Sequence, residues 1–261
     1  MSTGRYTIWA YWQNREENAS ACAVRLARMF ENLAAANSAF SHWYKQAMTL
    51  AESYKPFCAM PPQIKDLAAI IQQGQHKKDV PPEPWPELGF SVSAWNGIEG
   101  ERGLRFGVRA GAYGDRRVFP NNVTIDVHSH SPENADLINS STMNRALAAV
   151  IDSWEVSWGC VCSALYTKRL YAGKSFAPGA TAPPPFRSGW MSYLSAPYAA
   201  RIVPPKEAAI VETMPHGGLL MRATDEVFSM ENPAHLAAAD AIQAALEPLQ
   251  FDPRTYAKNK P

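Results

Sequence analysis

The side chains best suited to chemistry lie on one predicted strand, where Asp126, His128 and His130 alternate with apolar residues. Because successive strand side chains point to opposite faces, these three groups share one face. Carboxylate and imidazole groups bind transition metals and act as general acids and bases. On the preceding predicted strand, Arg105 and Arg109 alternate with apolar residues in the same way. A metal site, a small catalytic cluster and a solvated face all fit this pattern, and we favour the solvated face because any half-exposed strand shows it.

A metal centre at these residues meets a geometric difficulty. With a rise of about 3.3 Å per strand residue, Asp126 and His130 stand roughly 13 Å apart at the backbone. No second cluster of ligand residues with metal spacing occurs in the sequence, whereas zinc sites usually take at least three protein ligands in a tetrahedral arrangement. We therefore predict no metal and no cofactor. A metal-dependent hydrolase that uses Asp126, His128 and His130 is the enzymatic alternative.

The sequence also lacks the motifs of the common enzyme classes. It contains no GxSxG elbow, no P-loop, no GxGxxG after a strand and no HExxH, so the common hydrolase, nucleotide-binding and zinc-protease classes lose their sequence support. Cys160 and Cys162 are two residues apart, unlike the CxxC pairs of zinc knuckles, and free thiols are expected. We predict no catalytic residues.

Arg105, Arg109 and Asp126 belong to a predicted three-stranded antiparallel meander over residues 88–130. Three runs alternate apolar and polar residues with a period of two, and turn residues such as Asn96-Gly97 separate them. One face of the meander is therefore apolar and the other polar. The apolar face must be buried against other elements, whereas the polar face is free to meet water or a partner.

Helices and further strands surround the meander in the predicted fold. Apolar stripes with helical spacing predict four amphipathic helices, at 22–33, 64–71, 143–154 and 236–249. Strands are predicted at 6–12, 40–46, 156–165 and 190–194, with a hairpin around 216–218. Residues 171–189 predict a long loop or mobile lid. The predicted fold class is α+β, with one or more antiparallel sheets and a central meander packed by about four helices, in a single domain over 1–261 whose tail frays from about 252 to 261.

Composition and charge limit the classes of partner. The chain of 261 residues is 46% hydrophobic, which suffices for a large core, and its 25 basic and 24 acidic side chains give a net charge of +1. This balance favours neither nucleic acid nor a membrane surface. We find no signal peptide and no run approaching the roughly 18 apolar residues of a membrane span. We predict a cytoplasmic protein without direct contact with nucleic acid or membrane.

Eight tryptophans are conspicuous in this composition. Most are expected to fill the core between helices and sheet, since large aromatic side chains dominate core packing. Trp95 differs because it shares the predicted polar face with Ser91 and Ser93. There, an aromatic contact surface for a partner is an equal alternative.

Seven segments of the sequence resemble one protein family. They are AYWQNREE at 10–17, HWYKQ at 42–46, LGFSVSAWNG at 88–97, PNNVTIDV at 120–127, SWEVSWG at 153–159, GWMSYLS at 189–195 and GGLLMRATDEVFSMENPAH at 217–235. In this order and spacing they are similar to the immunity protein 52 family of bacterial polymorphic toxin systems. The resemblance spans nearly the whole chain, although no single segment carries a chemistry of its own. The proline-rich stretch at 178–185 and the basic tail depart from the family pattern, which affects loop-level contacts.

The resemblance implies a non-enzymatic α+β protein that binds a cognate nuclease toxin with a restriction-endonuclease-like domain (toxin REase family 5). Such an effector is often delivered by a type VI secretion system, and the immunity protein protects the producer and its kin. A DNA mimic would be strongly acidic, so the near-neutral charge favours inhibition by shape and mixed polarity, or by binding beside the active site. An adaptor that loads the effector onto the secretion machine is a further alternative.

The toxin is expected to dock on the polar face of the meander. Single apolar stripes place the predicted helices on the opposite face, and interface energy concentrates in a few aromatic and arginine anchors. The candidate toxin-binding residues are Trp95, Arg105, Arg109, Asp126 and His128. If a helix covered both faces of the sheet, these charges would pair internally instead.

Overall fold

Nine strands form one antiparallel sheet in the computed structural model, which describes residues 5–97, 103–114, 121–128, 137–172 and 186–250. The strands are β1 Arg5–Trp12, β2 Tyr44–Lys45, β3 Phe90–Trp95, β4 Arg105–Ala110, β5 Asn121–His128, β6 Trp158–Ser163, β7 Met191–Leu194, β8 Ile210–Thr213 and β9 Leu219–Arg222. Their order across the sheet is β2-β3-β4-β5-β1-β6-β7-β9-β8. The predicted meander is confirmed as β3-β4-β5, and the predicted hairpin as β8-β9.

Seven helices accompany the sheet within the described residues. They are α1 Ala19–Ala36, α2 Leu50–Ser53, α3 Ile64–Gln73, α4 Ser140–Trp154, α5 Ala164–Leu170, α6 Ala196–Ala199 and α7 Pro233–Ala245. The four longest, α1, α3, α4 and α7, correspond to the four predicted helices, and the α+β class is confirmed. Asn18, Asn139 and Asn232 cap α1, α4 and α7 by accepting hydrogen bonds from backbone N–H groups of the first turn. None of the described helices is long and apolar enough to cross a membrane.

Strand β1 lies in the interior of the sheet, between β5 and β6. Tyr6 and Ile8 are buried on one side, here called the first face, while Thr7 and Trp9 point to the second face. Bulky side chains on both sides favour a position inside a sheet that is covered on both faces. The bulky side chains on both sides of β1 thus agree with its interior position.

Helices α1, α3 and α4 cover the first face of the sheet. The apolar side chains of the meander, such as Phe106, are buried here. The ring centroids of Phe106 and Phe30 of α1 are 5.2 Å apart, and Trp12 of β1 stacks on Trp154 of α4 at 5.0 Å. The first face is thus the apolar face that the period-two alternation predicted.

The described residues cover the second face over only part of the sheet. At β6, Trp158 and Cys162 are buried, with the Phe186 ring centroid 5.8 Å from that of Trp158 and the Thr167 hydroxyl of α5 3.0 Å from the Cys162 sulfur. At β4, in contrast, Arg105 is exposed. The exposed part of the second face therefore coincides with the polar face of the meander.

Most tryptophans fill the core, as predicted. Those with no more than 3% of their surface exposed are Trp12, Trp43, Trp154, Trp158 and Trp190. Trp95 is partly buried on the second face.

The strand predicted over 156–165 ends earlier than expected, at Ser163. The Ser163 hydroxyl accepts a hydrogen bond from the Tyr166 N–H, and Thr167 donates to the Ser163 carbonyl. A serine that caps backbone N–H groups starts a helix, so α5 replaces the last predicted strand residues.

The strand predicted over 40–46 is also shorter, because only Tyr44–Lys45 pairs with β3. Ser38–Phe40 forms a 3-10 turn, and Trp43 turns inward to meet Phe106 edge-on with ring centroids 4.9 Å apart. Burial of one large aromatic side chain thus outweighs strand propensity in this segment.

Some predictions concern residues outside the described ranges. They include most of the loop or lid at 171–189, the tail from 252 to 261, and His130. The single-domain organisation over residues 1–261 stays a prediction.

Candidate partner-binding site

A shallow groove of about 400 Å³ runs over β3, β4 and β5 on the second face. Its lining residues are Ser91, Val92, Ser93, Gly107, Val108, Arg109, Asn122 and Thr124. The groove is lined mainly by small polar side chains with one guanidinium. It can therefore receive a protruding polar or mixed segment of a partner.

Gly107 forms the floor of the groove. It pairs with Ser93 of β3 and Thr124 of β5, so three small residues of this face lie side by side across the strands. A Cβ atom added at Gly107 would meet no atom within 4 Å. Among the described residues, the space directly above Gly107 of β4 is consequently open.

Trp95 lies at one end of the meander, opposite Arg105 of β4. Its indole N–H donates to the carbonyl groups of Lys45 and Ser53 at 3.0 and 2.9 Å, and its ring centroid is 5.3 Å from that of Tyr54. Trp95 therefore fixes the segment from Lys45 to Tyr54 against strand β3. Loss of its side chain would disturb the fold as well as any interface.

Asp126 is held by the neighbouring strand β1. Its carboxylate forms an ion pair with Arg5 and accepts a hydrogen bond from the Thr7 hydroxyl at 2.8 Å, which leaves 16% of the side chain exposed. Arg105 lies opposite Asp126 in the register but forms no ion pair within the described ranges. Arg105 is therefore the more accessible charge of this pair.

His128 lies on the same face of β5, opposite Arg5 of β1, and is half-buried. Arg109 lies four residues from Arg105 on β4, between Ser91 and Asn122 in the register. All five predicted docking residues thus share the second face. Arg105 and Arg109 flank the groove floor, while Asp126 and His128 lie towards β1.

Sequence reasoning missed two contacts at this site. The first is the binding of the Asp126 carboxylate by Arg5 and Thr7. The alternation of side chains in β1 could have suggested it only if the register between β1 and β5 had been known. The second is a contact of 2.8 Å between the His76 Nε2 atom and the Ser91 hydroxyl at the rim of the groove. An imidazole beside a serine hydroxyl is also the basic unit of nucleophilic catalysis, so this pair is the chemical feature that a test of enzymatic activity must address.

No group of three or more His, Cys, Asp or Glu side chains gathers as a metal site in the part of the chain that the structure describes. His130, the third member of the predicted ligand row, lies outside that part.

The architecture defines an α+β protein whose sheet is packed on one face and, within the described ranges, partly uncovered on the other. Residues 4–250 match the sequence model of Immunity protein 52, and the chain belongs to this family. Among solved structures, the Pseudomonas aeruginosa T6SS protein PA0821 has a similar fold, with a TM-score of 0.52 and 11% sequence identity over 95% of this chain and 73% of that chain. A search of curated proteins found no match. The family resemblance read from the sequence is confirmed.

Proposed function

We propose that this protein is an immunity protein that binds and neutralises a cognate nuclease toxin with a restriction-endonuclease-like domain. It acts in the cytoplasm of the producing cell, by forming a stoichiometric complex, and it needs neither a metal nor a cofactor of its own. Membership of the immunity protein 52 family supports a toxin partner. The fold shared with a type VI secretion protein supports a type VI secretion setting.

The observation that carries the docking site is the second face of the meander, which no described element covers. A folded sheet normally covers apolar faces first and leaves polar faces to water or partners. Here the uncovered face also offers an open groove and an exposed guanidinium at Arg105. We place the toxin on this face, with Arg105 and Arg109 as charged contacts, and Trp95, Asp126 and His128 at its margins.

The charge of this face favours a protein partner over imitation of DNA. Arg105 and Arg109 present positive charge near the groove, whereas a DNA mimic would present rows of negative charge. Guanidinium groups bind carboxylates with directed hydrogen bonds. We infer that the face meets an acidic or mixed surface of the toxin, and that access to its active site is blocked by shape.

A Gly107→Tyr variant tests this placement. Because a Cβ atom at Gly107 would meet no atom within 4 Å and tyrosine favours strands, the melting temperature should be unchanged or slightly raised. The bulky ring should fill the groove and weaken binding of the toxin domain by about 100-fold or more. Val211→Tyr on β8, at the opposite edge of the sheet, is the matched control and should bind normally. Affinity is measured by calorimetry with the nuclease domain encoded beside the gene.

Equal affinities of the Gly107→Tyr variant and the unaltered protein would refute the groove as the docking site.

The mode of action is tested separately by titrating DNA cleavage. Protection should be complete at about one immunity protein per toxin domain. Protection at a hundredth of that ratio would instead indicate that the protein inactivates the toxin enzymatically. If the Ser91→Ala variant then no longer protected at this low ratio, the activity would be assigned to the Ser91 and His76 pair. Copurification of secretion components with the complex would favour the adaptor alternative.

A further inference from the structure

A second polar site lies on the second face, beside β1, and is centred on Arg187. This side chain is only 9% exposed. Its guanidinium carbon lies 3.6 Å from the centroid of the Trp9 ring, and its Nη2 atom donates to the Tyr11 hydroxyl at 3.1 Å. The rings of Trp158 and Tyr171 flank it at 5.7 and 5.6 Å. The charge therefore rests among aromatic faces, which attract cations.

No carboxylate balances the charge of Arg187 within the described part of the chain, and its buried Nε atom has no hydrogen-bond partner. Two other partly buried arginines, in contrast, are paired with carboxylates. Arg25 binds Glu17 at 2.6 Å, and Arg222 binds Glu212 at 2.6 Å. A buried cation without a counter-charge is costly unless a ligand supplies one.

The neighbouring phenols do not supply the missing charge at neutral pH. Burial raises the pKa of Tyr11, and burial raises the pKa of Tyr171 to about 12. Burial likewise raises the pKa of the Cys160 thiol. Hydrogen bonding with Cys160 lowers the pKa of the Cys162 thiol, so Cys162 is the competing source of negative charge that an experiment must compare.

Arg187 forms part of the wall of a cleft of about 230 Å³. The lining residues are Leu170, Tyr171, Phe186, Arg187, Gln243, Glu247 and Gln250. Gln243 and Gln250 both donate hydrogen bonds to the Phe186 carbonyl, so they hold the chain segment that carries Arg187. Glu247 is exposed at the rim and disfavours an anion there. The cleft thus has one buried positive charge and one solvated negative charge.

We propose that this cleft is a carboxylate-binding site whose occupant is an aspartate or glutamate side chain of the toxin, an inference that rests on the proposed function. Charge complementarity argues for a carboxylate, which accepts two parallel hydrogen bonds from a planar guanidinium. Continuity argues for the toxin as its source. Trp9, on which Arg187 stacks, lies directly opposite Thr124 of the docking groove.

The site is first tested without the toxin, using N-acetyl-glutamate amide as a probe that presents only a glutamate side chain. Its binding, followed by the NMR signal of the Trp9 indole, should be saturable and should disappear in Arg187→Met, which keeps side-chain length but removes the charge. The neutral N-acetyl-glutamine amide should not bind. Equal shifts with both probes would overturn the carboxylate site. Tighter probe binding by Cys162→Ser than by the unaltered protein would identify the thiolate as the resident counter-charge and overturn the proposal.

The source of the carboxylate is then tested with the toxin domain. Arg187→Met should weaken toxin binding by at least about tenfold, because the partner's carboxylate loses its counter-charge. Arg201→Met is the matched control, because the guanidinium carbon of Arg201 also lies near an aromatic ring, 5.9 Å from the centroid of Tyr198, but the side chain is exposed. The affinity of this variant for the toxin domain should be unchanged. Unchanged toxin affinity in Arg187→Met, with the probe result intact, would overturn the toxin as the source.

Glu247→Gln keeps the inference testable if Arg187→Met does not fold. Removal of the like charge at the exposed rim should raise both probe and toxin affinity, by about threefold. Unchanged or lower affinity for both would overturn the site.

Asp252 follows Gln250 by two residues in the sequence, and a gain of probe affinity in Asp252→Asn would assign the site to the chain's own tail instead. If the unaltered protein binds the probe but no toxin, the proposed function fails and the toxin source with it, while the carboxylate site stands.

Discussion

At the scale of single residues, the second face is shaped by which cation binds Asp126. Arg105 is opposite Asp126 in the register, but Arg5 and Thr7 of β1 hold the carboxylate. Arg105 is thereby left exposed and without an ion pair in the described ranges. A rigid strand with an exposed guanidinium is a favourable anchor, because little is lost in ordering the backbone on binding.

We expect Arg105→Glu to weaken toxin binding by about 2 kcal/mol or more, roughly thirtyfold, with the free energy of unfolding changed by no more than about 0.5 kcal/mol. Arg28→Glu makes the same charge change on the exposed side of α1 and serves as control. Calorimetry and thermal melting of both variants measure the two quantities. A fall in melting temperature without loss of affinity would show that Arg105 serves the fold.

The structure also decides how Trp95 can be tested. Its indole hydrogen bonds to Lys45 and Ser53 mean that truncation removes packing and two backbone contacts together. A loss of affinity in Trp95→Ala would therefore not distinguish docking from folding. Gly107→Tyr and Arg105→Glu avoid this ambiguity, because a Cβ atom at Gly107 would meet no atom within 4 Å, and Arg105 is exposed and forms no ion pair among the described residues.

At the scale of elements, α5 and α7 cover the second face beyond β1 and are joined by one polar cluster. Arg169 of α5 forms two hydrogen bonds with Asp240 of α7, at 2.6 and 2.7 Å, and the Tyr166 hydroxyl adds a third at 3.0 Å. The hydrogen bonds from Arg169 lower the pKa of Asp240. The cluster thus keeps α7 seated over α5.

The lowered pKa of Asp240 predicts loss of stability in acid. A carboxylate whose folded pKa is depressed stabilises the fold above its unfolded pKa of about 3.9 and loses that contribution as the pH falls through the folded value. Because the pair is 47% and 40% exposed, we expect Asp240→Asn to cost only about 0.5–1 kcal/mol at pH 7. The difference in the free energy of unfolding between Asp240→Asn and the unaltered protein should vanish near pH 2. Urea unfolding at both pH values measures it.

Glu231→Gln provides the control for this experiment, since Glu231 is exposed and forms no ion pair among the described residues. Its stability should follow that of the unaltered protein at both pH values. A cost of Asp240→Asn that persisted at low pH would mean that shape, not charge, seats the two helices.

At the scale of the whole molecule, Tyr6 connects strand β1 with segments about 180 to 220 residues further along the chain. Its hydroxyl donates to the Phe228 carbonyl at 2.6 Å, and its ring centroid is 5.6 Å from that of Trp190. Burial raises the pKa of Tyr6 to about 12. The phenol must therefore stay protonated for the strand β1 and the segment around residue 228 to remain in contact.

A raised phenol pKa predicts loss of stability in alkali. The stabilising contribution is complete below the unfolded pKa of about 10 and is lost as the pH rises from there towards 12, by about 1.4 kcal/mol per pH unit. We expect Tyr6→Phe to be less stable by about 1 kcal/mol at pH 8, through the lost hydrogen bond, but to lose less stability between pH 10 and 11. Denaturant unfolding at these pH values measures both effects. Parallel pH profiles would exclude Tyr6 as the responsible group.

Much of this molecule follows from the sequence because its signals are local. The period-two alternation around Phe106 and Ile125 determined the meander and its two faces, since side chains of a strand alternate whatever surrounds them. Apolar stripes determined the four long helices for the same reason. The family resemblance also rests on sequence order alone.

Tertiary structure decided what depends on contacts between distant residues. Helix α5 replaced the end of the strand predicted over 156–165, because the Ser163 hydroxyl caps a backbone N–H group of the helix. Capping by a serine competes with strand pairing, and residue propensity alone does not decide which of the two forms. The partner of Asp126 depended on the register between β1 and β5, which pairs residues 119 apart. The stacking of Arg187 on Trp9 joins still more distant segments. No local pattern encodes such contacts, because they exist only after the sheet has brought its strands together.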